Sequence, residues 1–152
     1  MSEKQVTVVY FDRPGPENTA RTLALARSRA EALGIRHVLV ATTTGATGVQ
    51  AGEVLRGFHV VAVTHSTGFR EPNRQSLLEE NRAAMEAAGV EILTCQHALG
   101  GVNRAVRRKL NTYQLDEIIA FTLRTFGEGT KVAIEISLMA ADAGKIPVGE
   151  PV

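Results

Sequence analysis

The chain has 152 residues, 44% of them hydrophobic, which is enough to bury the core of one domain without disulfides or metals. Its 17 Lys and Arg against 16 Asp and Glu leave a formal net charge of +1, which gives no overall electrostatic case for nucleic acid or a membrane surface. A lone cysteine, Cys95, excludes an intramolecular disulfide. The segment from Met1 to Gln5 lacks the apolar run of a secretory signal, and no stretch nears the roughly 18 apolar residues of a spanning helix, so the expected setting is cytoplasmic.

The first expected element is a strand, Val6 to Phe11, stopped by Asp12-Arg13-Pro14-Gly15-Pro16. Asn18 and Thr19 can cap a helix that carries Leu23, Ala26, Ala30 and Leu33 at helical spacing, and Gly34 sits where a helix C′ glycine belongs. His37 to Thr43 reads as a strand whose Val38-Leu39-Val40-Ala41 run suggests burial on both faces. After Thr44-Gly45-Ala46-Thr47-Gly48, a short helix through Val49, Val54 and Leu55 ends at Gly57. A third strand, His59 to Thr64, leads into a polar loop through Gly68, Phe69 and Pro72. Ser76 and Glu79 have capping-box spacing for a helix running to Ala88, closed by Gly89.

Val90 to Thr94 is the fourth expected strand, and the β-α-β-α-β-α-β alternation predicts a parallel sheet wrapped by helices. The last third reads as helical. Val102 to Lys109 is short and basic, and Leu115, Ile118, Ile119, Thr122 and Phe126 form one face of the next helix. Beyond Gly127-Glu128-Gly129, Val132, Ile134, Ile136 and Leu138 alternate like a strand. Val132, Ile136, Met139, Ala140 and Ala143 fit a helix instead, and the alanines and the length of the run favour helix, capped at Gly144 and stopped by Pro147.

Three strand-to-helix loops offer chemistry. In Thr42-Thr43-Thr44-Gly45-Ala46-Thr47, hydroxyls and free N–H groups at a helix start converge where the helix dipole favours an anion, at the carboxyl end of a buried strand. The pattern is neither a P-loop nor a GxGxxG fingerprint, and an ordinary capped turn explains it equally well. The loop Thr64-His65-Ser66-Thr67-Gly68-Phe69 should flank it, with His65 as a ligand contact or acid–base group and Phe69 as a flat wall. The third loop brings Asn18 and Thr19 to the mouth, where helix capping is the plainer role.

Other constellations are weaker. Cys95 with His97 suggests a nucleophile and base, but a buried structural cysteine is the simpler reading. The histidines at 37, 59, 65 and 97 have no metal-ligand spacing, so no metal is expected. Arg104, Arg107, Arg108 and Lys109 form a basic helix face, with solvation as its default role. Glu135 and Asp142 fall on one helix side, as an acid–base pair or as structural charges.

Thr42-x-Thr44-Gly45-x-Thr47 after Val38-Leu39-Val40 is similar to the phosphate-gripping loop in the C-terminal domain of pyruvate kinase. More of the chain resembles a family of small stand-alone proteins with a pyruvate kinase C-terminal-domain-like fold. The matching stretches are Tyr10 to Thr19, Val63 to Phe69, Leu123 to Ala133, and Ala140-Ala141-Asp142-Ala143-Gly144. The resemblance implies an α/β fold of three layers, with a mostly parallel open sheet and helices on both faces. It also implies helix from Lys131 to Ala143 and a phosphate-bearing ligand, with flavin mononucleotide (FMN) the leading candidate and no established reaction. Family members continue past this helix into a strand, a glycine-rich loop and a further strand, so the chain is expected to lack the last two strands. An apolar sheet edge left open in that way would be aggregation-prone unless another chain covers it. A truncated sequence is one explanation of the short end, and a fold completed by a partner, such as a homo-oligomer, is the other.

The functional expectation is therefore a ligand-binding or regulatory module for a phosphorylated small molecule. A flavin-dependent oxidoreductase and an assembly module are the alternatives.

Overall fold

The computed structural model describes Glu3 and residues 5–152. Its described residues form an α/β unit with a three-stranded parallel sheet, ordered β1-β2-β3, and six α-helices. In chain order these are α1 (Thr19–Leu33), β1 (His37–Ala41), α2 (Ala46–Val54), β2 (His59–Thr64), α3 (Glu79–Ala87), β3 (Glu91–Thr94), α4 (Val102–Leu110), α5 (Leu115–Arg124) and α6 (Glu128–Asp142). No helix among the described residues is long and apolar enough to cross a membrane.

The sheet's alternation sorts its side chains into two cores. Val40, Val60 and Ala62 pack with Leu23, Ala51, Leu55, Met85 and Val90 under α1, α2 and α3. Val61, Val63 and Leu93 face the other way, onto Ile136, Met139 and Ala140 of α6 and onto Ile146. Both faces of β2 are therefore covered, which explains its unbroken apolar run Val60-Val61-Ala62-Val63, all buried. Small residues let α2 lie close to its neighbours: a Cβ on Gly48 would stand 2.1 Å from Met85 Sδ, and one on Gly52 would stand 2.8 Å from Val90 Cγ2.

Several local signals act as their residue types require. Asn18 is the N-cap position of α1, although its side chain donates to the Arg13 carbonyl at 2.6 Å rather than to the helix. Gly34 ends α1 in the left-handed region at φ 67°, with Ile35 N–H donating back to the Ala30 carbonyl. The segment that could read as strand or helix is helix, α6. It closes through Gly144 and Lys145 N–H groups donating to the Ala141 and Ala140 carbonyls.

Two expected elements differ. Val6 to Phe11 is not a strand, and Val6, Val8, Val9, Tyr10 and Phe11 are all exposed. A strand is completed by its ladder partner, and this segment pairs with none among the described residues, so its β-propensity alone does not suffice. Ser76 does not cap α3. The N-cap position is Leu78, whose N–H donates to the Thr44 carbonyl at 3.1 Å, so a tertiary contact sets the helix start.

Candidate functional site

The end of β1 and the start of α2 form a turn whose geometry depends on Gly45. Its φ of 99° is one that side chains rarely adopt, and a Cβ there would lie 2.5 Å from Asn81 Cβ. The turn is held from both sides. Buried Thr42 turns its hydroxyl inward to accept the Gly45 N–H at 3.1 Å, while the Thr44 carbonyl accepts from Leu78 N–H and from Asn81 Nδ2 at 2.9 Å. Among the described residues no side chain caps α2, so its first N–H groups stay open at the positive end of the helix dipole.

This turn forms one wall of a cleft of about 520 Å3 at the carboxyl ends of β1 and β2. Thr42, Thr43, Thr44 and Thr47 line it together with Thr64, His65 and Phe69, while Val63, Ile136 and Met139 supply its apolar part. Thr64 is 2% exposed, and its hydroxyl is engaged with Thr94 Oγ1 at 2.7 Å, so it braces the strand ends. Gly68 lies outside the lining; at φ 81° it lets the loop close, its N–H donating to the Arg74 carbonyl at 2.9 Å. Gln75 ties this loop down by donating to the His65 carbonyl at 2.8 Å, a contact with no sequence signature.

Asn18 and Thr19 do not line this cleft. Asn18 borders a separate hollow with Tyr10, Phe11, Asp12, Arg13 and Glu17. The cause is the unpaired Val6 to Phe11 segment: without a strand in the sheet, the loop after it is not delivered to the sheet's carboxyl edge.

The opposite wall comes from the last third of the chain. Arg124, Glu128, Lys131 and Glu135 line it, together with His97 and Arg104. Lys131 and Glu135, each 5% exposed at the side chain, form an ion pair one helical turn apart. Glu135 Oε2 accepts from the Lys131 ammonium, and Oε1 accepts from the buried Leu99 N–H at 3.1 Å. His97 Nδ1 lies 3.8 Å from the same Oε1, and its Nε2 receives the Ser66 N–H at 3.4 Å. Because a backbone N–H can only donate, the neutral ring that fits this contact carries its proton on Nδ1, on the carboxylate side. The Phe69 ring stacks on His97 at 4.8 Å and 6° and on His65 at 4.8 Å and 27°, and the Arg104 guanidinium lies 4.9 Å from its centroid. Arg107, Arg124 and Lys131 each hold a carboxylate; Arg104 has none among the described residues.

Three sequence pairings rearrange. Glu135 pairs with Lys131 and His97, whereas Asp142 borders a different hollow, beside Gln96. Cys95 packs against the α6-side core, where burial first and Asp142 second push its thiol up, so it is no partner for His97. The basic face of α4 divides: Arg104 enters the cleft, Arg107 binds Glu117 at 2.6 Å, and Arg108 stays exposed.

Burial holds His97 below its ordinary value of 6.5, against an opposing pull from Glu135 and with further lowering by Arg104, Lys131 and His65. His65 is lowered by burial and then by Arg70. The unfolded chain therefore binds more protons than the folded one as pH falls through 6.5, so this contribution is complete above that value and lost below it. The expected result is a melting temperature that falls between pH 7 and pH 5, with a shallower fall in His97→Gln; an unchanged slope in the variant would remove His97 as a cause.

No protein-family model matches this sequence.

Proposed function

We propose that this protein is a ligand-binding or regulatory module for a phosphate-bearing small molecule, either FMN or a phosphorylated metabolite, acting in the cytoplasm. One observation carries the reading: Thr47, in the uncapped first turn of α2, and the threonines at 43 and 44 line a single cleft at the carboxyl ends of parallel strands. Anions are favoured there by the helix dipole, and Arg104 adds a positive charge that no carboxylate pairs among the described residues. The resemblance of the threonine loop to that of the pyruvate kinase C-terminal domain, and of longer stretches to its stand-alone relatives, supports the same ligand class.

The residues fit FMN in kind. The turn from Thr43 to Thr47 would hold its phosphate, and the stacked pair of Phe69 and His97 would border its ring. Bound flavin supplies redox chemistry, and this stacked wall is what favours the second reading, a flavin-dependent oxidoreductase. A third reading, an assembly module, draws on the exposed apolar residues of α5, among them Leu115 and Phe121 at 72% each. It predicts a homo-oligomer by light scattering, and a clean monomer would count against it.

The deciding experiment is an absorbance spectrum with mass analysis of small molecules released on denaturation. Released FMN supports the flavin version, and bleaching by a reductant substrate would then favour the enzyme. Thr44→Ala with Thr47→Ala should weaken calorimetric binding of FMN or inorganic phosphate by about 0.5–1.5 kcal/mol per lost hydrogen bond. Unchanged affinity in the double variant would sink the site assignment.

A further inference from the structure

We infer that His97 is a general base for the same cleft, so that a phosphorylated carbonyl compound held there exchanges the proton on the carbon beside its carbonyl. The inference rests on the phosphate reading and adds an activity to it. Its observations lie on the wall opposite the threonine loop. His97 is 14% exposed at the side chain, presents Nε2 as the acceptor, and turns Nδ1–H toward a carboxylate that is itself fixed by Lys131 and the Leu99 N–H. The one contact to Nε2 among the described residues is the Ser66 N–H at 3.4 Å, long for a hydrogen bond. The Phe69 ring stacks on one face of the imidazole.

The step balances without any co-reactant. The Nε2 lone pair takes the proton, the C–H electron pair moves onto the carbonyl oxygen as an enolate, and the neutral ring becomes an imidazolium facing Glu135. Return of a proton to carbon restores both partners. Arg104, which lines the cleft with no carboxylate partner among the described residues, is the cation available to the enolate oxygen. Glu135 acts through His97 and is a positioning residue. The charged and titratable groups facing the ring are Glu135 and Lys131 from α6, Arg104 from α4 and His65 from the loop after β2.

The test uses the full chain, saturating dihydroxyacetone phosphate as probe, and deuterium oxide as solvent. Proton NMR follows loss of the carbon-bound hydrogen, and the 31P line reports binding. Expected are exchange above the buffer rate, a fall of roughly 100-fold or more in His97→Gln, and a rate that drops in acid as the ring is protonated. Equal exchange in His97→Gln, or none above buffer with the probe bound, overturns the inference alone. An unshifted 31P line at millimolar probe removes the phosphate reading and this inference with it. Should His97→Gln fail to fold, 15N-resolved NMR of the unaltered protein decides: a proton on Nδ1 supports the role, and a proton on Nε2 in the neutral ring overturns it.

Discussion

Lys131→Met is expected to destabilise the fold by about 3–5 kcal/mol, the usual result of breaking a buried ion pair by removing one member. The substitution costs little in volume. Its effect comes from Glu135, left 4% exposed with a charge that, among the described residues, the Leu99 N–H and the nearby His97 ring are left to answer. Denaturant melts of three variants separate charge from packing. Lys131→Met alone should be the worst, and Lys131→Met with Glu135→Leu should recover most of the loss. The recovery should fall short of complete by about 1–3 kcal/mol, because the Leu99 N–H then has no acceptor. A single variant as stable as wild type would mean that the pair is hydrated.

Met85→Ala should cost about 2–5 kcal/mol, the range for truncating a large buried side chain. Met85 is fully buried and sits where α2, α3 and the sheet meet, with its sulfur packed against Gly48. No larger residue at 48 fills the space it would leave. The resulting void lies under the helix whose first turn lines the cleft, so ligand affinity should fall along with stability. Binding and melting measured on the same preparation test this: a stability loss within error of zero would show that α2 collapses onto the gap.

The elements legible in the sequence are those whose signals are local. Gly34 after Leu33, the run Val60 to Val63, and the helical face of Val132, Ile136 and Met139 each carry their outcome within a few residues. Val6 to Phe11 carries the composition of a strand, but a strand depends on a neighbour that composition does not supply. Ser76 and Glu79 have capping spacing, yet the bond from Leu78 N–H to Thr44, 34 positions earlier, determines where α3 begins.

The same division runs through the cleft. The threonine turn is visible because a strand, a glycine and hydroxyls fall together in one short stretch. The far wall is assembled from residues 97, 104, 124, 128, 131 and 135, which meet only after three helices have packed. Lys131 and Glu135 do show i,i+4 spacing, but so does any solvated surface pair, such as Arg27 and Glu31. Burial distinguishes them, and burial belongs to the fold.

The double acceptor at the Thr44 carbonyl turns the first turn of α3 into a reporter. Any rotation of that peptide plane as the turn closes around a ligand alters the bond to the Leu78 amide at 3.1 Å and to the Asn81 carboxamide at 2.9 Å. Leu78 is remote in sequence from the threonines and is not part of the cleft lining, so its amide resonance would register occupancy as a spectator. A titration followed at that single cross-peak would read the state of the turn while leaving every residue that touches the ligand unaltered.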